Sequence, residues 1–114
     1  MTGERPLVSI VTPSLNQGLY LREAIESVLA QTYAPIEHIV MDAGSTDGSL
    51  DILRAYEHLR WVSEPDRGQS HALNKGFALA KGEIFGWLNA DDAYLPDAVA
   101  EGVRALQELS LIHI

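Results

Sequence analysis

The chain has 114 residues, with 8 basic and 16 acidic side chains and a formal net charge of -8. That length suits one domain, and a hydrophobic content of 46% is too high for a disordered chain. The acidic balance argues against a nucleic-acid partner and a polybasic membrane anchor. The lack of cysteine excludes disulfides, thiolate metal sites and a cysteine nucleophile.

No apolar run approaches the roughly 20 residues of a membrane helix. Residues Met1 to Pro6 are polar, without the apolar core of a signal peptide, so the expected setting is cytoplasmic. In chain order, Leu7 to Thr12 reads as a buried strand between Pro6 and Pro13. Leu19 to Gln31 reads as a helix, with Leu21, Ala24, Ile25, Val28 and Leu29 on its apolar face and Arg22, Glu23 and Glu26 opposite. His38 to Met41 is a second strand, Ala43 to Gly48 a loop, and Leu50 to Tyr56 a short helix. Arg60 to Ser63 is a third strand. Ser70 to Ala80 is a helix with Ala72, Leu73, Gly76, Phe77 and Ala80 on one face, and Gly82 is expected as its C-terminal cap. Ile84 to Leu88 is a fourth strand. Pro96 opens a last helix that runs to about Leu106. Trp61 and Trp87 are expected in the core.

Strand and helix alternate four times, which predicts an α/β fold with a parallel, doubly wound sheet. Ligands of such sheets bind beyond the carboxyl ends of the strands. Four loops lie there: Pro13 to Gly18, Asp42 to Gly48, Glu64 to Gly68 and Asn89 to Asp92. The second loop reads equally as a turn whose Ser45, Thr46 and Asp47 cap the next helix and as a polar pocket for a base or sugar. The third leads into a helix N-terminus, which favours anions; Arg67 either reaches a phosphate there or pairs with Asp66 or Glu64. Lys75 is either solvated or phosphate-binding, and His71 is pocket wall or surface. The adjacent carboxylates of the fourth loop suit Mg²⁺ or Mn²⁺ rather than zinc, or else form a solvated turn.

Several of these segments resemble family 2 glycosyltransferases. They are Val11-Thr12-Pro13-Ser14-Leu15-Asn16-Gln17-Gly18, Ser27 to Tyr33, Asp42 to Ser49, Ser63 to Ser70, and Gly86-Trp87-Leu88-Asn89-Ala90-Asp91-Asp92. The resemblance covers residues 6 to 106 of a single domain and corresponds to the N-terminal part of such enzymes. It implies a GT-A fold, a Rossmann-like nucleotide-binding sheet, mostly parallel, with helices on both faces. It also implies transfer of a sugar from a UDP-, GDP- or dTDP-sugar to a glycan or glycolipid acceptor, with inversion and with Mg²⁺ or Mn²⁺, at the cytoplasmic face of a membrane.

By the same resemblance, Thr12, Pro13, Ser14 and Asp42 line the nucleobase pocket. Arg67 and Asn74 lie near the base or diphosphate. Asp91 and Asp92 meet the ribose and the metal, with Asp92 in direct metal contact. The sequence departs from the family pattern twice. Ala43 stands where many relatives carry a second acidic residue, and Asn89 stands where the acidic motif often begins with Asp. The catalytic base of the family comes later in the chain, beyond residue 114; Asp97 and Glu101 read as a solvated helix face.

The expectation is therefore a truncated donor half, inactive alone. Leu109 to Ile114 is read as a non-native tail, because one reverse translation of it resembles a transposon end used in sequencing libraries. The alternatives are a non-catalytic nucleotide-sugar-binding module, a nucleotidyltransferase and a flavodoxin-like receiver. The nucleotidyltransferase lacks a Gly-rich, Lys-containing phosphate loop, and the Asp42 to Ser49 motif argues against the receiver.

Overall fold

The computed structural model describes residues 5–112, with side chains to residue 108. Its elements are β1 (Val8–Ser14), α1 (Gly18–Leu29), β2 (Ile36–Asp42), α2 (Ser49–Arg54), β3 (Arg60–Ser63), α3 (Gln69–Leu79), β4 (Ile84–Trp87) and α4 (Ala98–Ile112). The four strands form one all-parallel sheet in the order β3-β2-β1-β4. The chain therefore winds outward from β1 through β2 to β3, then crosses back to place β4 on the other side of β1. The gap beyond the carboxyl ends of β1 and β4 is the point where the winding reverses, and it is where doubly wound sheets bind ligands.

Alternate residues of each strand face opposite layers. Val8 and Ile10 of β1 pack with Ala24 and Val28 of α1 and Val99 and Val103 of α4. Val40 of β2 meets Leu21 and Ile25 of α1 and Leu53 of α2. On the other face Val11, Ile39 and Met41 meet Ala72 of α3. Three helices thus cover one face and α3 covers the other, as a doubly wound fold requires.

The helical periodicity reads correctly for Leu21, Ala24, Ile25 and Val28, which are buried, but Leu29 is exposed at the end of α1. Strand β1 runs on through Pro13, where the sequence reading stops at Thr12. Val11 O accepts from Leu88 N on the β4 side, and Ser14 O accepts from Ala43 N on the β2 side. Alternation puts the missing N–H of Pro13 on the β4 side, beyond the last β1–β4 pair at Val11 and Trp87. Proline costs no ladder bond there.

Gly82 does not cap α3, which ends at Ala80 in an extended conformation. A Cβ at Gly82 would lie 2.7 Å from Leu7 O and 2.9 Å from Ser9 N, so the glycine serves the close passage of the chain against β1. Pro96 precedes α4 rather than opening it; its carbonyl accepts from Thr32 N at 2.9 Å. The helix continues to Ile112, so the backbone of residues 109–112 of the expected tail is helical, while His113 and Ile114 lie outside the described residues. Trp87 is not core: it is 52% exposed, as is Phe85, because β4 is an edge strand whose α3-facing side is only partly covered, Phe77 stacking on Phe85. No helix among the described residues is long and apolar enough to cross a membrane.

Candidate functional site

All four strand-end loops meet at one cleft of about 320 Å³. Pro13, Ser14 and Gln17 come from the first loop, Ala43 from the second, Asp66, Gly68 and Gln69 from the third, and Asn89, Ala90 and Asp91 from the fourth. The cleft sits at the carboxyl end of the sheet and spans the β1–β4 reversal.

Its floor is rigid because the first two loops are tied together. Asn16 donates its N–H to Ser45 Oγ at 2.9 Å and accepts from Thr46 N at 2.9 Å through Oδ1. Asn16 takes a left-handed conformation (φ 52°) to do so, which asparagine tolerates better than most residues. Gly18 N donates to Asp47 Oδ2 at 2.9 Å, and the other Asp47 oxygen accepts from Ser49 N at 3.1 Å. Of the three expected caps of α2, only Asp47 acts as one. Ser45 and Thr46 are spent on the latch between loops. The Ser49 hydroxyl and the Gly18 amide hold the Asp47 carboxyl below the usual carboxylate range.

Asp42 lies beneath this floor, 1% exposed. It accepts from Gly44 N at 3.1 Å, Ser45 N at 2.8 Å, the Ser45 hydroxyl and the Ser63 hydroxyl at 2.8 Å. Three donors from the β2–α2 loop and one from the end of β3 converge on one carboxylate, so the geometry shows it organising that loop. Ala43 is the neighbour that reaches the cleft wall. Thr12 is also buried, and its Oγ1 pairs with His38 Nε2 at 2.8 Å. His38 is held neutral: burial, with His58 nearby as a second cause, lowers its pKa to about 3.

Ser14 is different. It is 5% exposed on the cleft wall, and its buried hydroxyl has no hydrogen-bond partner. An orphaned buried hydroxyl costs about 1–3 kcal/mol.

The third loop presents Arg67 without an ion-pair partner among the described residues. Glu64 pairs instead with Lys75, Oε1 to Nζ at 2.7 Å, and Asp66 accepts from Gly68 N at 2.9 Å. The Lys75 bond holds Glu64 below its usual range, and both groups are engaged in tying the loop to α3. His71 accepts Arg67 N–H at 2.8 Å through Nδ1. Asn74 lies exposed further along α3 and is not on the cleft wall.

Asp91 and Asp92 are both exposed, and Asp91 lines the cleft. Asp92 N closes a turn onto Asn89 O at 3.0 Å. Neither carboxylate is in an ion pair among the described residues. Among the described residues, no three His, Cys, Asp or Glu side chains gather into a metal cage. Two adjacent hard oxygen donors at an open cleft fit Mg²⁺ or Mn²⁺, which take one or two carboxylates and complete their shell with water and phosphate oxygens. Asp97, just before α4, and Glu101, on it, are both exposed; Asp97 Oδ1 accepts from Thr32 Oγ1 at 2.8 Å.

Two residues of the site escaped the sequence reading. Gln69, which enters the sequence analysis only within the Ser63 to Ser70 segment, lines the cleft and donates to Asn89 Oδ1 at 3.0 Å. Trp87, expected in the core, donates its indole N–H to the same oxygen at 2.9 Å. The i, i+2 spacing of Trp87 and Asn89 at a strand end was the available signal, since it puts both side chains on one face.

Comparison with known proteins agrees with this architecture. An uncharacterised glycosyltransferase of Rickettsia typhi is 42% identical over 105 residues, covering 91% of this chain and 33% of that protein. A putative teichuronic acid biosynthesis glycosyltransferase of Bacillus subtilis, TuaG, is 35% identical over 116 residues, covering 96% of this chain and 46% of that one. The chain thus spans between a third and a half of the length of these relatives. Among solved structures, a mannosyltransferase of Pyrobaculum calidifontis in complex with GDP-Man and Mn²⁺ superimposes with a TM-score of 0.80 at 31% identity, over 89% of this chain and 32% of that one. The S. aureus TarS structure with UDP-GlcNAc has a TM-score of 0.79 at 23% identity, over 89% of this chain and 31% of that one, and shares the fold. The fold is that of GT-A glycosyltransferases. The model of glycosyl transferase family 2 matches residues 9–112, and the chain belongs to that family.

Proposed function

We propose that this chain is the donor-nucleotide part of an inverting glycosyltransferase that takes a sugar from a nucleoside-diphosphate sugar. The observation that carries the reading is the cleft at the β1–β4 reversal, where Pro13 and Ser14 from the end of β1 and the exposed Asp91 beyond β4 line one small volume. The solved mannosyltransferase with GDP-Man and Mn²⁺ supports it, at 31% identity.

In this reading the base enters between the first two loops, against Pro13, Ser14 and Ala43. Asp42 shapes that wall through the loop it holds, and Thr12 braces it from below through His38. The diphosphate lies toward the N-terminus of α3, whose first turn carries no acidic residue and so leaves the positive end of the helix unopposed. Arg67 is positioned to approach the diphosphate from the rim, with Asn74 behind it.

The cleft carries Asp66 and Asp91 on its wall, and a diphosphate brought there meets like charge. Asp91 and Asp92 would hold Mg²⁺ or Mn²⁺, which neutralises the diphosphate and stabilises it as a leaving group. Transfer forms a bond from the acceptor oxygen to the anomeric carbon and breaks the bond from that carbon to the phosphate oxygen. The electron pair leaves with the nucleoside diphosphate, and the acceptor proton goes to a general base. We assign that base, and the acceptor site, to the part of the relatives that this chain does not cover.

The test is calorimetric titration of GDP and UDP in Mn²⁺. Binding should weaken at least tenfold both on chelation and in Asp92→Ala, with the fold intact by circular dichroism. Unchanged affinity in Asp92→Ala would remove the metal assignment.

A further inference from the structure

Asn89 lies just beyond the end of β4 on the cleft wall, and the structure gives its amide a defined orientation. Its Oδ1 accepts from Trp87 Nε1 at 2.9 Å and from Gln69 Nε2 at 3.0 Å. An indole N–H only donates. The amide therefore cannot be turned over without setting two N–H groups against each other. Its Nδ2 is left facing away from Trp87 and Gln69, and it is not among the buried unpartnered atoms. It makes no hydrogen bond among the described residues, and Asn89 lines the cleft. Two donors from two elements, the end of β4 and the first turn of α3, thus fix one neutral donor group at the ligand edge.

We infer that Trp87 and Gln69 are positioning residues that lock the Asn89 carboxamide so that its NH₂ donates to an acceptor oxygen, ribose or phosphate, of the bound nucleotide. The inference rests on the nucleotide reading of the cleft and deepens it. A carboxylate at this position would still accept from Trp87 and Gln69. Its second oxygen would then add negative charge beside Asp91 and Asp92. The amide instead makes a contact with an anionic ligand that does not depend on the cation. Asn89→Asp should accordingly tighten Mn²⁺ binding and weaken nucleotide binding measured in chelator.

Two measurements on the chain separate the lock from the ligand. In the free protein, the Trp87 indole N–H resonance should shift clearly in Asn89→Ala and in Asn89→Leu; an unmoved resonance overturns the lock. With GDP as probe, Asn89→Ala should weaken binding about 3- to 10-fold, the usual worth of one hydrogen bond, with and without Mn²⁺. Trp87→Phe and Gln69→Ala should each weaken GDP several-fold in the wild-type background and have no further effect in Asn89→Ala. Full additivity would overturn the positioning role. A protein whose indole resonance responds to Asn89 but which binds no GDP or UDP keeps the lock and overturns both the nucleotide reading and the ligand contact.

Discussion

His38 shows how one buried side chain writes a pH dependence into the fold. Its ring is sealed in β2 beneath the α1–α2 layer, with Nε2 against Thr12 Oγ1 and Nδ1 without a partner. Burial lowers its pKa from 6.5 to about 3. The unfolded chain takes up a proton as pH falls through 6.5, and the folded chain does not until about pH 3. Stability from this group is therefore complete above pH 6.5 and drains between the two values, by about 1.4 kcal/mol per pH unit. Urea unfolding at pH 6.5 and 5.0 should show that slope, and His38→Gln should flatten it. An equal slope in both proteins would mean that other groups control it. Asp42 sets a second expectation at this scale. Asp42→Ala strands the amides of Gly44 and Ser45 and the hydroxyl of Ser63, and should cost roughly 3 kcal/mol, read from the urea midpoint. Neither role was legible from sequence. His38 and Asp42 sit in a strand whose apolar run looks alike whichever face each side chain takes, and the donors to Asp42 come partly from Ser63, 21 residues away.

Among the elements, α3 determines the shape of the cleft, and it lies unusually close to the sheet. A Cβ at Gly76 would collide with Val11 and come within 3.1 Å of Met41 Cγ. Gly76→Ala should push α3 outward, cost about 1–3 kcal/mol, and weaken nucleotide binding through displaced Gly68 and Gln69; thermal unfolding and GDP titration together check it. Gly82→Ala meets the Ser9 hydroxyl and also the backbone of Leu7 and Ser9, which cannot swing away, and should be at least as damaging. The latch between the first two loops belongs to this scale too. In Asp47→Ala the Gly18 and Ser49 amides should exchange faster with solvent, while amides of β1 and β2 keep their protection. The same bonds are present above the ordinary carboxylate range and are lost as pH falls through the lowered Asp47 value. Most elements could be read from periodicity and punctuation, and β3 agrees residue for residue. The misreadings share a cause: Pro13, Gly82 and Pro96 are punctuation by local rules, but their places are decided by which neighbouring strand or loop passes beside them.

At the scale of the whole molecule, the winding order makes the site. Periodicity gives alternating strands and helices, and it gives four polar loops at the carboxyl ends. It does not give β3-β2-β1-β4, and so does not say which two strand ends flank the opening. The order puts Ser14 and the Asn89–Asp91 turn across from each other, and it leaves β4 an edge with Phe85 and Trp87 half-exposed. Trp87 was misread for that reason, since nothing local to Gly86-Trp87-Leu88 distinguishes an edge strand from a central one. The central claim is that a nucleoside diphosphate occupies the β1–β4 cleft with a divalent cation. The most direct measurement is an amide chemical-shift titration of the isotope-labelled chain with GDP and with UDP, each in Mg²⁺ and in chelator. Shifts should concentrate at Ser14, Ala43, Gly68, Gln69 and Asn89 to Asp92 and fade when the cation is removed. Shifts confined to other surfaces, or none with either nucleotide in a protein that remains folded, would contradict it.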